Sequence, residues 1–328
     1  MPEIAAAPAP APTVAAAVAP APTPAVAPKV APRRRVIGAV SPAKVRDYVT
    51  LTKPRIMSLL VLTAVCAMVA GAQGKPAMGA LLALVVGGAL ACGGASALNH
   101  VLDRDIDRLM GPRTAARPVA AGRISPRHAV LFGLGLSALS FAVLACFANL
   151  LAAALAVSGG LFYVVVYTLL LKRRTAHNIV IGGAAGAIPA LAGWAAAHGQ
   201  LGPGALFLFV IVLLWTPPHF WALALLLRRH YEAARVPMLP VVRGSAVTAR
   251  QVLLYTVALS AVTLVPALTG TFGAAYLVSA AGLDATLLLL AWRIWRQPTA
   301  ARASVMFHYS LLYLALLFVA VAVDAVLG

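Results

Sequence analysis

The sequence predicts an all-α integral membrane protein with nine transmembrane helices, and three observations carry that reading. Hydrophobic residues make up 62% of the chain and charged ones only 10%, against about 25% charged in a soluble globular domain. A mean hydropathy of +0.92 requires many apolar runs, because one crossing of a hydrocarbon core of about 30 Å takes about 20 residues. The third observation is a net charge of +18, from 26 Lys and Arg against 8 Asp and Glu. In a soluble protein that excess would suggest nucleic acid; here it reports topology, and no nucleic-acid partner is expected.

Residues 1–47 form an Ala/Pro-rich tail with a basic end, in which recurrent proline blocks helix and interrupts any apolar span. Arg33, Arg34 and Arg35 follow its apolar part instead of preceding it, so a cleaved signal is not expected, and no Arg-bearing amphipathic presequence is visible. The membrane domain, 48–328, alternates apolar runs with short polar breaks. Helices are expected at 55–73, 77–102, 129–148, 151–171, 179–198, 205–227, 251–269, 274–295 and 306–327. Of the 26 Lys and Arg, 25 fall before the first span or after the even-numbered ones; only Lys75 lies on the other side. By the positive-inside rule the N-terminus is expected in the cytoplasm and the C-terminus in the periplasm, and the lack of a visible transit peptide makes a bacterial inner membrane the expected location. Cys66, Cys92 and Cys146 are isolated within apolar runs, in neither disulfide nor zinc spacing.

Two basic-side loops, 103–128 and 228–250, exceed what a helix connection needs, so chemistry is sought there. In NHVLDRDID, Asn99, Asp103 and Asp107 recur every four residues and share one helix face. Hard oxygen donors in that arrangement suit Mg²⁺, which shares its coordination with water and phosphate. The plainer alternative is a solvated helix end balancing Arg104 and Arg108. Arg113, Thr114 and Arg117 in RTAARP favour the metal reading, because guanidinium matches diphosphate oxygens. Asp105 points to the other side, towards an arginine. In WTPPHFW, Pro217 and Pro218 free backbone carbonyls within a span, which suggests a cavity there. His219 either orients a substrate there or bonds a freed carbonyl, and Trp215, Phe220 and Trp221 are either a substrate wall or packing. Asp284, Asp324 and His308, inside late helices, receive no role.

NHVLDRDID with RTAARP resembles the first Asp-rich motif of the UbiA superfamily of intramembrane prenyltransferases. TKPRIMSLLVLTAV (52–65), YTLLLKRRTAHNIVIGGAAGAIPALAGW (167–194), WTPPHFWALAL (215–225) and YEAARVPMLPVVRG (231–244) resemble its haem-farnesylating branch. The resemblance runs from about residue 48 to the C-terminus. It implies a UbiA-like bundle of nine helices around a central cavity. It also implies transfer of farnesyl from farnesyl diphosphate to the 2-vinyl group of haem B, with water added to give haem O. Membrane lipid surrounds the protein, and a downstream haem O oxygenase is a candidate partner. Asp103 and Asp107 would then hold Mg²⁺ with Asn99, and Arg113, Arg117, Lys172 and Arg173 would hold the diphosphate. Lys53 and Arg55 either reach the same phosphates or serve topology and anionic lipid, and Asn178 either bonds phosphate or caps the fifth span.

The chain departs from the family pattern twice. Gly111-Pro112 stands where one residue is expected, and His230 replaces the Asp of the second acidic motif. Glu232 is the candidate substitute, and it serves only if its segment is a loop, since two residues along a helix turn it by about 200°. The rival readings are a family member with another aromatic or tetrapyrrole acceptor, and an ion-coupled secondary transporter, although no repeat is visible.

Overall fold

A computed structural model of the chain describes residues 42–328. The tail expected over 1–47 lies outside the described residues as far as 41, and its end begins helix α1 (Pro42–Thr52). Lys53 interrupts the chain in a left-handed conformation (φ 50°, ψ 61°) before Pro54 opens α2 (Pro54–Gly71). α3 (Met78–Leu102) leads into the first long loop, which holds α4 (Arg104–Leu109) and α5 (Pro112–Ala115) ahead of α6 (Pro126–Phe147). The fourth span is α7 (Leu150–Leu161) prolonged by a π-helical segment, Phe162–Leu171. α8 (Asn178–His198) and α9 (Pro203–Leu226) precede the second long loop, with α10 (Arg228–Ala233) and α11 (Leu239–Val242). α12 (Gly244–Leu268), α13 (Ala274–Arg296) and α14 (Ala300–Leu327) complete the bundle.

Nine helices among the described residues are long and apolar enough to cross a membrane, at the nine expected places. The largest boundary differences are at α12, which begins at Gly244 instead of 251, and α14, which begins at Ala300 instead of 306. Hydropathy marks where lipid ends, whereas backbone hydrogen bonds carry both helices on through their polar first turns. α14 packs against α2 and α9, so the last span closes onto the first.

Helices in lipid gain little from hydrophobic burial against each other, so close approach of backbones and interhelical hydrogen bonds hold the bundle. A Cβ on Gly94 of α3 would stand 2.7 Å from the Gly133 carbonyl of α6, and one on Gly193 of α8 would collide with the Ala64 carbonyl of α2. Ser96 donates to Leu51 O of α1 and Ser140 to Gly87 O, each at 2.7 Å. Two late carboxylates prove to be joints of the same kind. Asp324 accepts from Gly273 N (2.6 Å) and Tyr276 N (3.1 Å), capping the start of α13. Asp284 of α13 bonds Thr263 of α12 (2.5 Å) and Tyr313 of α14 (2.7 Å), tying three helices together.

Candidate active site

The chain brings its carboxylates to the basic end of α3. Asp103 ends the helix, with φ −93° and ψ 5°, yet the i→i−4 bonds Asp103 N→Asn99 O (2.9 Å) and Asp107 N→Asp103 O (2.8 Å) continue through the junction. Asn99, Asp103 and Asp107 therefore stay on one face, as the four-residue spacing requires, and each is almost wholly buried.

Around them lie cations from distant segments. Lys172 Nζ donates to Asp103 Oδ2 at 2.5 Å, and Arg117 to Asp107 Oδ1 at 2.6 Å. Asn99 links the parts: its Nδ2 donates to Asp103 Oδ2 (2.7 Å) and to Thr168 Oγ1 (3.2 Å), while its Oδ1 accepts from Lys53 Nζ (2.9 Å). Burial, reinforced by the positive charges of Arg117 and Lys172, pushes the Lys53 ammonium down to about 7. Burial raises the Asp107 carboxyl above its usual range in spite of Arg117. Asp103 Oδ1 and Asp107 Oδ2 are buried with no partner among the described residues. A carboxylate oxygen buried without a donor is costly and calls for a missing ligand. Two such oxygens one helical turn apart, with an amide between cations, fit a hard divalent ion shared with an anionic substrate.

The other expected residues fall into three groups. Arg113 is exposed on α5 and pairs with no carboxylate among the described residues; Arg55 is also exposed, with no side-chain bond. Arg173 does not turn inward beside Lys172. Its guanidinium grips both oxygens of Asp105 (2.7 Å each) and Leu102 O (2.7 Å), and this hydrogen bonding holds the Asp105 carboxyl at about 2. Asp105 thus finds its arginine, and the arginine is the one expected on the diphosphate. Asn178 does not cap its helix: its Nδ2 donates to Thr175 O (2.8 Å) and Lys172 O (3.5 Å), bracing the KRRT turn. Its Oδ1 is buried without a partner.

Glu232 requires a correction. Residues 228–233 form α10 and not a loop, Glu232 is exposed where Tyr231 is buried, and no three acidic, His or Cys side chains gather in metal-binding proximity among the described residues. Glu232 is therefore exposed on a helix instead of lying in the loop on which its candidacy depended. The two departures from the family pattern meet here: a Cβ on Gly111, at φ 126°, would lie 2.8 Å from the His230 ring.

His219 bonds neither freed carbonyl. It lies between Trp215 (ring centroids 4.3 Å apart) and Phe307 (4.9 Å), with Nδ1 2.7 Å from Ser310 Oγ. Ser310 Oγ lies 2.7 Å from both His219 Nδ1 and Phe307 O, so when its single proton goes to the carbonyl it accepts from Nδ1–H and the lone pair is left on Nε2. Trp215 donates to Ser310 O (2.8 Å), and Trp221 packs edge-on to Tyr255 (5.2 Å). Sequence reasoning passed over Thr168, Ser310 and His100. Thr168, four residues before Lys172 in an apolar run, was detectable by spacing. His100, buried with both ring nitrogens unpartnered, carried no pattern.

The model described as UbiA prenyltransferase family matches residues 60–319. The chain is 49% identical over 285 residues to a protein from Roseiflexus sp. (strain RS-1) named protoheme IX farnesyltransferase, covering 87% of this chain and 53% of that one. A Gloeobacter violaceus protein of the same name is 52% identical over 285 residues, covering 87% of this chain and 93% of the relative. The chain thus spans about half the length of the Roseiflexus relative and nearly all of the Gloeobacter one. In fold it resembles a UbiA homolog from Archaeoglobus fulgidus bound to GPP and Mg2+, with a TM-score of 0.62 at 15% identity, covering 84% of this chain and 99% of that one.

Proposed function

This chain belongs to the UbiA prenyltransferase family, and from that premise we propose that it transfers farnesyl from farnesyl diphosphate to the 2-vinyl group of haem B, with addition of water, giving haem O. The observation that carries a metal-diphosphate reaction is the pair of orphaned oxygens, Asp103 Oδ1 and Asp107 Oδ2, beside three cationic side chains. The choice of acceptor and chain length is supported by the relatives, above all the Gloeobacter protein that this chain covers almost completely.

Asp103 and Asp107 would hold Mg²⁺, with Asn99 beside them. When bound, the ion stabilises negative charge gathering on the departing diphosphate. Lys172 and Arg117, now engaged with the two carboxylates, are within reach to turn their remaining N–H groups to diphosphate oxygens. Lys53 supplies a further donor, and an anion in its surroundings restores its charge. Arg113, exposed and unpaired, is free to close over the phosphates, whereas Arg173 and Asn178 hold the loop that positions Lys172. The farnesyl C1–O bond breaks with its electrons passing to diphosphate. The vinyl π electrons form the new carbon–carbon bond, and water, losing a proton, adds to the cation left beside the porphyrin ring. No protein nucleophile is needed. His219, held at Nδ1 by Ser310, would offer Nε2 to the iron of the substrate haem.

The basic ends of the helices support a cytoplasmic site in an inner membrane. In a variant lacking native cysteines, single cysteines placed in 199–204 or 270–273 should label from outside intact cells, and those in 235–245 should not; the reverse sinks this orientation. The activity itself is tested by haem analysis of membranes from a host without its own synthase. Haem O should appear only when this chain is expressed. A different prenylated tetrapyrrole, or unchanged haem B in membranes that contain the folded protein, rejects the assignment.

A further inference from the structure

The last helical hairpin, α13 and α14, has a basic end of its own. Between α13 and α14 lies an open cleft of about 500 Å³, lined by Arg293, Arg296 and Arg302 over an apolar side made of Leu290, Trp292 and Val305. We propose that this cleft binds the phosphodiester headgroup of an anionic glycerophospholipid, with its acyl chain along the apolar side.

Charge is the first argument. None of the lining residues is acidic, and none of the three arginines takes part in an ion pair among the described residues. Three guanidinium groups therefore converge with no carboxylate to neutralise them. They are also partly fixed. Arg302 donates to Arg293 O at 2.8 Å, and the Arg296 guanidinium lies 5.6 Å from the centroid of the Trp292 ring. Both contacts leave N–H groups for an anion, since each guanidinium carries five. Depth is the second argument. Trp292 and Trp295 are 45% and 46% exposed in the last turns of a membrane-crossing helix, as expected for aromatic side chains at headgroup level. The cleft thus presents positive charge at the height of lipid phosphates and hydrocarbon just below. The absence of acidic residues from its lining distinguishes it from the Asp103 and Asp107 site, and suits a phosphodiester more than a metal-bound diphosphate.

The full chain, purified with a mixture of equal amounts of phosphatidylglycerol and phosphatidylcholine, can be tested by native mass spectrometry for retained lipid. Preferential retention of phosphatidylglycerol is expected, falling about fivefold in Arg296→Gln and persisting in Arg296→Lys. Prenyl transfer by Arg296→Gln in phosphatidylcholine alone should match the parent, which verifies its fold. Equal retention of both lipids by the parent chain, or undiminished preference in Arg296→Gln, would overturn the proposal. So would displacement of phosphatidylglycerol by millimolar inorganic phosphate, which would make the cleft a general anion site, or by farnesyl diphosphate without metal, which would assign it to the prenyl donor.

Discussion

Among the described residues two places bury carboxylates, and they are built on opposite plans. Asp284 gives one oxygen to Thr263 and the other to Tyr313, with no cation among these partners. Asp103 and Asp107 each commit one oxygen to a cation and leave the other without a partner. An ionisable residue inside a membrane protein is a functional candidate by default. The contrast shows how to refine that default. A polar network whose members are all satisfied holds helices together, whereas one left incomplete at matched positions awaits a ligand.

The sharpest way to break this contrast is to neutralise each carboxylate in turn. Asp103→Asn or Asp107→Asn should lower turnover by about 10²–10³-fold or more, since the lost charge acts on the ionising diphosphate. Folded protein should remain in the membrane. Near-normal haem O formation by either variant at limiting Mg²⁺ would remove the metal role. Asp284→Ala should do the reverse: kcat is retained, and thermal unfolding in detergent reveals a loss of about 1–3 kcal/mol, chiefly from the stranded hydroxyl of Tyr313, since Thr263 can still donate to Ser260 O. Asp284→Asn should recover part of it.

Within the active site, Lys172 and Arg173 are neighbours with different tasks. Lys172→Met should raise KM for farnesyl diphosphate about tenfold and lower kcat as well. Arg173→Met removes only a half-exposed pair with Asp105 and a bond to Leu102 O, so steady-state kinetics should show a smaller change. Equal effects would mean that Arg173 leaves Asp105 during turnover. The smallest expected effect is at His230. An aspartate there restores a charge on an exposed position, so His230→Asp should lower the Mg²⁺ concentration for half-maximal activity by at most about fivefold, with the same product. If that variant instead gains an activity the parent lacks, the second motif is indispensable and the parent chain is a degenerate copy.

The spans were readable because lipid imposes a simple rule on composition, and all nine helices lie where apolar runs predicted them. The Asn99, Asp103 and Asp107 face was readable because a four-residue spacing survives even an irregular helix junction. Partner choice was not. Whether Lys172 or Arg173 turns towards the carboxylates depends on how the π-helical segment ends, and that segment has no local signature in FYVVVYTLLL. Lys53 looked like one juxtamembrane cation among several, and it is its left-handed backbone and its bond to Asn99 that set it apart from the exposed Arg55. Glu232 illustrates the converse: it has the right chemistry near the right place, and one helical turn excludes it.

The π-helical segment also bears on comparing sequences of related length. Each π turn takes up about one residue more than an α turn, so Phe162–Leu171 works as a register adjuster between the start of the fourth span and its basic end. Deleting one residue from a π turn would leave an α turn, so the helix beyond would keep its direction while residues within the segment changed face. Thr168, within the segment, would leave Asn99, while Lys172 beyond it stayed by Asp103 and hydropathy and charge order were unchanged. A gap at this point in an otherwise well-matched alignment would therefore mark a protein with the same silhouette and a differently wired interior.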